Sequence, residues 1–111
     1  MEKKDFVHEE MKNWKSTLQS EQKERLEDLE VLRLQLEVSN AKIHCYNVLL
    51  NEVDGNTFEG AKTAQEVNDL CMEEEQNNRE IIEEIQEIEE KVLMHGALNQ
   101  KLISIIDNNL Q

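Results

Sequence analysis

Few residues in this chain could do chemistry. His44-Cys45 is the one place where a histidine and a cysteine stand side by side. A zinc site needs three or four convergent ligands, and no further His or Cys lies at helical spacing from this pair. Cys45 falls instead within an apolar stripe, where a thiol behaves as a small packed hydrophobe. His44 falls on a polar flank, where it is expected to be solvated. Cys45 and Cys71 form neither a CxxC pair nor a disulfide framework.

The carboxylates from Glu73 to Glu90 raise the possibility of a di-metal bundle. That chemistry uses Glu-x-x-His pairs on facing helices. Asp5, Ala41 and Val92 stand three residues before His8, His44 and His95, so the motif is missing. A solvated acidic face is expected, or alternatively a binding surface for a basic protein. No glycine-rich phosphate loop, nucleophile elbow or Ser/His/Asp arrangement is present. The chain is therefore expected to be no enzyme and to use no cofactor, metal or small-molecule substrate.

The balance of charge narrows the partners. The net charge is −13. Residues 1–53 carry 8 basic and 11 acidic side chains, a balance of −3, and residues 54–111 carry 4 basic and 14 acidic ones, a balance of −10. Such a chain repels phosphate backbones and anionic bilayers, so no nucleic acid and no membrane is expected as a partner. No apolar run approaches a membrane span. Met1-Glu2-Lys3-Lys4-Asp5 is followed by no apolar segment of the secretory type. With two unpaired cysteines, these features point to a reducing compartment, cytoplasmic or nuclear.

The elements that would position any of these residues are helices. The 111 residues include no Pro, three Gly and 4% aromatics. Proline-free sequence leaves long helices uninterrupted, and so few aromatics and β-branched residues cannot fill a sandwich or barrel. The stretch 51–60 differs from the rest, with two of the three glycines and the Asp54-Gly55 step. Gly55 suits the left-handed position that ends a helix. Asn56 with Glu59, and Thr63 with Glu66, have capping-box spacing, and Thr63 is read as the truer start. The organisation expected is helix 1 over 1–53, a loop over 54–62 and helix 2 over 63–111. Equal arms about a short glycine loop predict an antiparallel hairpin. Residue i would face a residue near 114 − i, so that Leu29 and Leu32 meet Ile82 and Ile85. A continuous rod dimerising in parallel is the rival architecture.

Residues 29–53 hold two seams. Leu29, Leu32, Leu36, Ser39, Ile43, Tyr46, Leu50 and Val53 alternate at spacings of three and four, as in a coiled-coil core. Val31, Leu34, Val38, Ala41, Cys45 and Val48 repeat the rule and project from the opposite side of the helix. Helix 1 is thus double-seamed from residue 29. One helix of a hairpin covers one seam; the other predicts a further chain. Helix 2 offers a single seam through Val67, Cys71, Glu74, Asn78, Ile81, Ile85, Ile88, Val92, His95, Asn99, Leu102 and Ile106. Asn78, His95 and Asn99 are read as polar layers that hold register at some cost in stability. Phe6, Val7, Met11, Trp14 and Leu18 would form a second compact patch against the last third of helix 2, including Leu110. Trp14 is read as core or as an interface anchor.

The fold expected is all-α: a long antiparallel helical hairpin, or coiled coil, that assembles into a bundle of three or four helices. The function expected is that of a non-enzymatic scaffold subunit of the cytoskeletal, centrosomal, kinetochore or vesicle-tethering type, by fold-level analogy. Its partner would be another helical protein or a copy of itself. Val31, Leu34, Val38, Ala41, Cys45, Val48 and Trp14 are the candidate interface. The alternative is an acidic binding module or chaperone acting through Glu73–Glu90.

Overall fold

The computed structural model describes residues 2–110, with side chains through Asn109. What was expected of Met1, Gln111 and the side chain of Leu110 lies outside the described residues. Two helices, α1 (Lys3–Glu52) and α2 (Phe58–Leu110), form a helical hairpin, and no strand occurs among the described residues. The chain divides into two compact units. One comprises residues up to Glu30 and from Glu87 onward, and the other runs from Val31 to Gln86.

The turn between the helices is shorter than the sequence implied. It occupies residues 53–57, and α2 begins at Phe58 rather than at Thr63. The cap is Thr57, at neither of the two expected capping boxes. Its hydroxyl accepts the Gly60 N–H at 2.9 Å and donates to the Asp54 carbonyl at 3.1 Å. Asp54 also accepts the Asn56 N–H on its carboxylate at 3.0 Å. Short side-chain acceptors of this kind satisfy backbone donors that a helix start leaves free. Gly55 does not take the left-handed conformation expected of it; the Asp54 carboxylate closes the turn instead. Gly60 is the glycine that the turn requires. A Cβ there would run into the Asp54 carbonyl oxygen and stand 2.6 Å from Thr57 Oγ1.

In the unit from Val31 to Gln86, Leu32, Leu36, Ser39, Ile43, Tyr46 and Leu50 all face inward on α1. On α2 they meet Val67, Cys71, Glu74, Asn78, Ile81 and Ile85. Both rows keep the three–four alternation of a coiled-coil seam. The pairing differs from the expected 114 − i. Lys42 meets Glu74, Ser39 meets Asn78 and Asn47 meets Cys71, a displacement of two to four residues. The physical reason is polar matching. Ser39 is the buried polar residue of the α1 row, and its hydroxyl aligns with the Asn78 amide rather than leaving both groups unpaired. Ile82, expected against Leu32, is consequently among the exposed hydrophobics, whereas its neighbour Ile81 is buried.

In the other unit the same alternation, counted back from Leu29, reaches Arg25, Gln22, Leu18, Lys15, Met11 and His8. This corrects the compact patch. Leu18 is buried and Met11 half-buried, but Phe6, Val7 and Trp14 are exposed, Trp14 at 43%. Val7 and Trp14 precede seam positions by one residue, and one residue is about 100° around a helix. On α2, Ile88, Val92, Asn99, Leu102 and Ile106 face inward. His95 does not. It is exposed, and Gly96 takes the inner position. The run Ile88, Val92, Gly96, Asn99 steps by four, four and three, a local departure from the heptad.

This second seam is polar and incompletely satisfied. Lys15 bridges to Asp107 at 2.6 Å near the surface, where such a pair contributes little. Gln22 Oε1, Arg25 Nη1 and Asn99 Nδ2 are buried without hydrogen-bond partners.

Two glycines should respond to alanine with opposite signs. Gly60→Ala should lower thermal stability by more than Thr57→Ala, which removes a cap worth about 1 kcal/mol, because backbone must move to admit the new methyl. Gly96→Ala should raise stability by roughly 0.5–1 kcal/mol through helix propensity. The atoms nearest its Cβ belong to the end of the flexible Gln22 side chain, with Nε2 at 2.8 Å, and that end can shift. Melting curves followed by circular dichroism read both.

Candidate functional site

The unit from Val31 to Gln86 holds a polar cluster inside its seam. Ser39 is 2% exposed, and its hydroxyl accepts from Asn78 Nδ2 at 3.1 Å. The same amide donates to Asn40 Oδ1 at 2.8 Å. Four residues before Asn78, the buried Glu74 carboxylate accepts from Asn77 Nδ2 at 2.8 Å and lies 3.4 Å from Lys42 Nζ. The Asn77 amide, opposed by burial and aided by the Lys42 ammonium and the Ser39 hydroxyl, holds the Glu74 carboxyl below its usual range. Next in the row, burial pushes the Cys71 thiol up, and the adjacent Glu75 carboxylate adds to the shift. A thiol in that state is a poor nucleophile and metal ligand. Cys45 is exposed on the other side of α1, so the two free thiols occupy different faces.

The second seam of α1 lies outside this core. Val31, Leu34 and Val38 are 53%, 56% and 55% exposed, and Ala41, Cys45 and Val48 are exposed as well. Each side chain sits on the face that the hairpin leaves uncovered. Burying a Val or Leu is worth about 1.5–3 kcal/mol, so an aligned set of this kind is a substantial reserve of association energy.

α2 supplies a second wall beside that seam. Val31, Leu34 and Val38 border a groove whose floor includes Ser39 and Ile81. Opposite them stand Glu80 and Glu84, with Glu74 at one end. The groove encloses about 470 Å³. The two readings of the sequence, an apolar interface on helix 1 and an acidic face on helix 2, thus meet at a single surface. Sequence periodicity marked each wall separately. Their adjacency depends on the register of α1 against α2.

No family model matches the chain, and neither does any curated protein or solved structure. The site therefore rests on its own geometry. Among the described residues no group of three or more His, Cys, Asp or Glu is placed to hold a metal ion. No described helix is long and apolar enough to cross a membrane.

The other unit carries scattered apolar surface. Trp14, Leu93, Met94, Leu98 and Ile105 are exposed. Leu93 and Ala97 line a groove with Leu18, Gln22 and Asn99. Sequence reasoning did not single out Gln22 and Arg25 as seam residues, because polar side chains give no apolar periodicity. Their signal was the three–four spacing extended back from Leu29.

The polar cluster yields two predictions. Asn78→Ala leaves the buried Ser39 hydroxyl without its donor and should cost about 1–2 kcal/mol, measured by denaturant unfolding. Ser39→Ala added to it should recover part of the loss. Glu74 has a folded-state pKa below its unfolded one, so its contribution is present above about pH 4.3 and disappears as pH falls through the folded value. Glu74→Gln should therefore lower the melting temperature at neutral pH. The gap between variant and wild type should narrow on acidification to about pH 3, and a constant gap contradicts the assignment.

Proposed function

We propose that this protein is a non-enzymatic coiled-coil interaction subunit, a hairpin that receives one or two further helices and so scaffolds a larger assembly as a three- or four-helix bundle. The observation that carries this reading is the outer seam of α1. Six positions from Val31 to Val48 follow the three–four rule, and all are exposed in the hairpin. Contiguous exposed apolar stripes of this kind mark interaction surfaces. Occupied by another helix, the seam becomes a second coiled-coil core. The partner is a helical protein or a copy of this chain. Trp14 is a candidate anchor in the other unit, since exposed aromatics disproportionately supply binding energy.

The acidic composition is the observation behind a second reading, an acidic module or chaperone for a basic protein acting through Glu73–Glu90. Glu80 and Glu84, which border the outer seam, support an acidic contribution to partner choice. Two free cysteines, one of them buried in the seam, accord with residence in the cytoplasm or nucleus. By fold-level analogy, the assembly it serves is of the cytoskeletal, centrosomal, kinetochore or vesicle-tethering type.

Val38→Glu with Cys45→Glu tests the seam. Both side chains are exposed in the hairpin, so helicity should persist. Self-assembly, read as mass by light scattering, or affinity for an added partner should fall by roughly tenfold or more, from two lost apolar contacts of about 1.5 kcal/mol each. Assembly unaffected by the double substitution removes the outer seam as an interface.

A further inference from the structure

We infer that the groove between α1 and α2 in the Val31–Gln86 unit seats a partner helix whose apolar stripe is flanked by lysine or arginine. This deepens the proposed interaction role and rests on it. Three observations carry the assignment. The walls differ in kind: Val31, Leu34 and Val38 repeat at helical seam spacing on one side, while Glu80 and Glu84 stand on the other. A helix laid in such a groove presents core positions to the first wall and flanking positions to the second, the arrangement in which flanking charges select the partner in coiled coils. The groove is also short of cations. Of the residues that line it, Lys42 is the cationic one, and Lys42 already lies 3.4 Å from Glu74. Glu80 takes only the neutral amide of Gln76, at 3.3 Å, among the hydrogen bonds described for it. Two neighbouring carboxylates on the exposed wall steer a cationic flank toward it, and the attraction strengthens once a docked helix displaces water from the apolar wall.

The third observation concerns who cannot fill the groove well. A second copy of this chain brings a net charge of −13 to a wall that is already acidic. Its more basic stretch, residues 3–20, sets Lys3, Lys4, Lys12 and Lys15 against Asp5, Glu9 and Glu10, a balance of only +1. Like-charge approach is a specificity device against self-pairing. The overall charge thus favours a different, more basic protein as the occupant. The α1 wall from Val31 to Lys42 spans about 16 Å at 1.5 Å per residue, so roughly three helical turns of the partner suffice.

Two synthetic helical peptides of about three heptads provide the probes. Both carry Leu at the core positions; one has Lys at the flanking positions and the other Glu. Binding to the 111-residue chain is measured by calorimetry at low and high salt. The Lys peptide should bind, weaken with salt, and exceed the Glu peptide by about tenfold or more. Glu80→Lys with Glu84→Lys should reverse that preference, and Leu34→Asp with Val38→Asp should abolish binding of both peptides. All four positions are exposed, and circular dichroism checks that each variant keeps its helices. Equal binding of the two peptides, preference unchanged by charge reversal, or no binding of the Lys peptide overturns the assignment. Light scattering on the same samples separates this failure from that of the broader reading. Assembly that responds to Val38→Glu with Cys45→Glu but not to charge reversal removes the basic partner and keeps the interaction subunit. Assembly and peptide binding that respond to neither remove both.

Discussion

Everything in this protein depends on one packing constraint: each helix turns a single stripe, spaced by three and four residues, toward the other. The helices are long, polar and free of proline, and neither has an apolar face wide enough to form a compact core of its own. Pairing the stripes is what gives side chains an inside. Leu29, Ile81, Ile85 and Ile106 are buried by it. So are Ser39, Glu74 and Asn99, which occupy stripe positions although they are polar.

Those polar positions divide the hairpin by character. Between Val31 and Gln86 the buried polar groups find one another: Asn78 serves Ser39, and Asn77 and Lys42 serve Glu74. A satisfied polar layer contributes little net energy but penalises every other alignment, since a slipped register leaves the same groups buried and unpaired. In the other unit Gln22, Arg25 and Asn99 hold buried polar atoms without partners. Its apolar side chains Trp14, Leu93 and Met94 lie outside the seam rather than in it.

The same constraint explains why the hairpin has an unused face. An α-helix with two stripes on opposite sides can give only one to a single neighbour. α1 gives the Leu32–Leu50 row to α2 and leaves the Val31–Val48 row in solvent. Because register brings Glu80 and Glu84 beside that row, the open face combines apolar contact with negative charge. Affinity in such a surface comes from the apolar wall, and discrimination between partners from the charged one.

The sequence alone determined the helical class, the hairpin and the members of the seam from Leu29 onward, because absent proline, a short polar turn and period-3.5 apolar spacing are local properties. It also marked the outer row of α1. Tertiary packing decided what local patterns leave degenerate. The cap fell on Thr57 because only there do Asp54, Thr57 and Gly60 satisfy one another in a tight turn. The alignment shifted by two to four residues because Ser39 and Asn78 had to meet, and polar partners across helices carry no mark in either helix alone. The row yielded from His95 to Gly96 because, there, a small residue let Gln22 approach. The groove itself belongs to this second class. Its walls were legible separately, but only the register set them side by side.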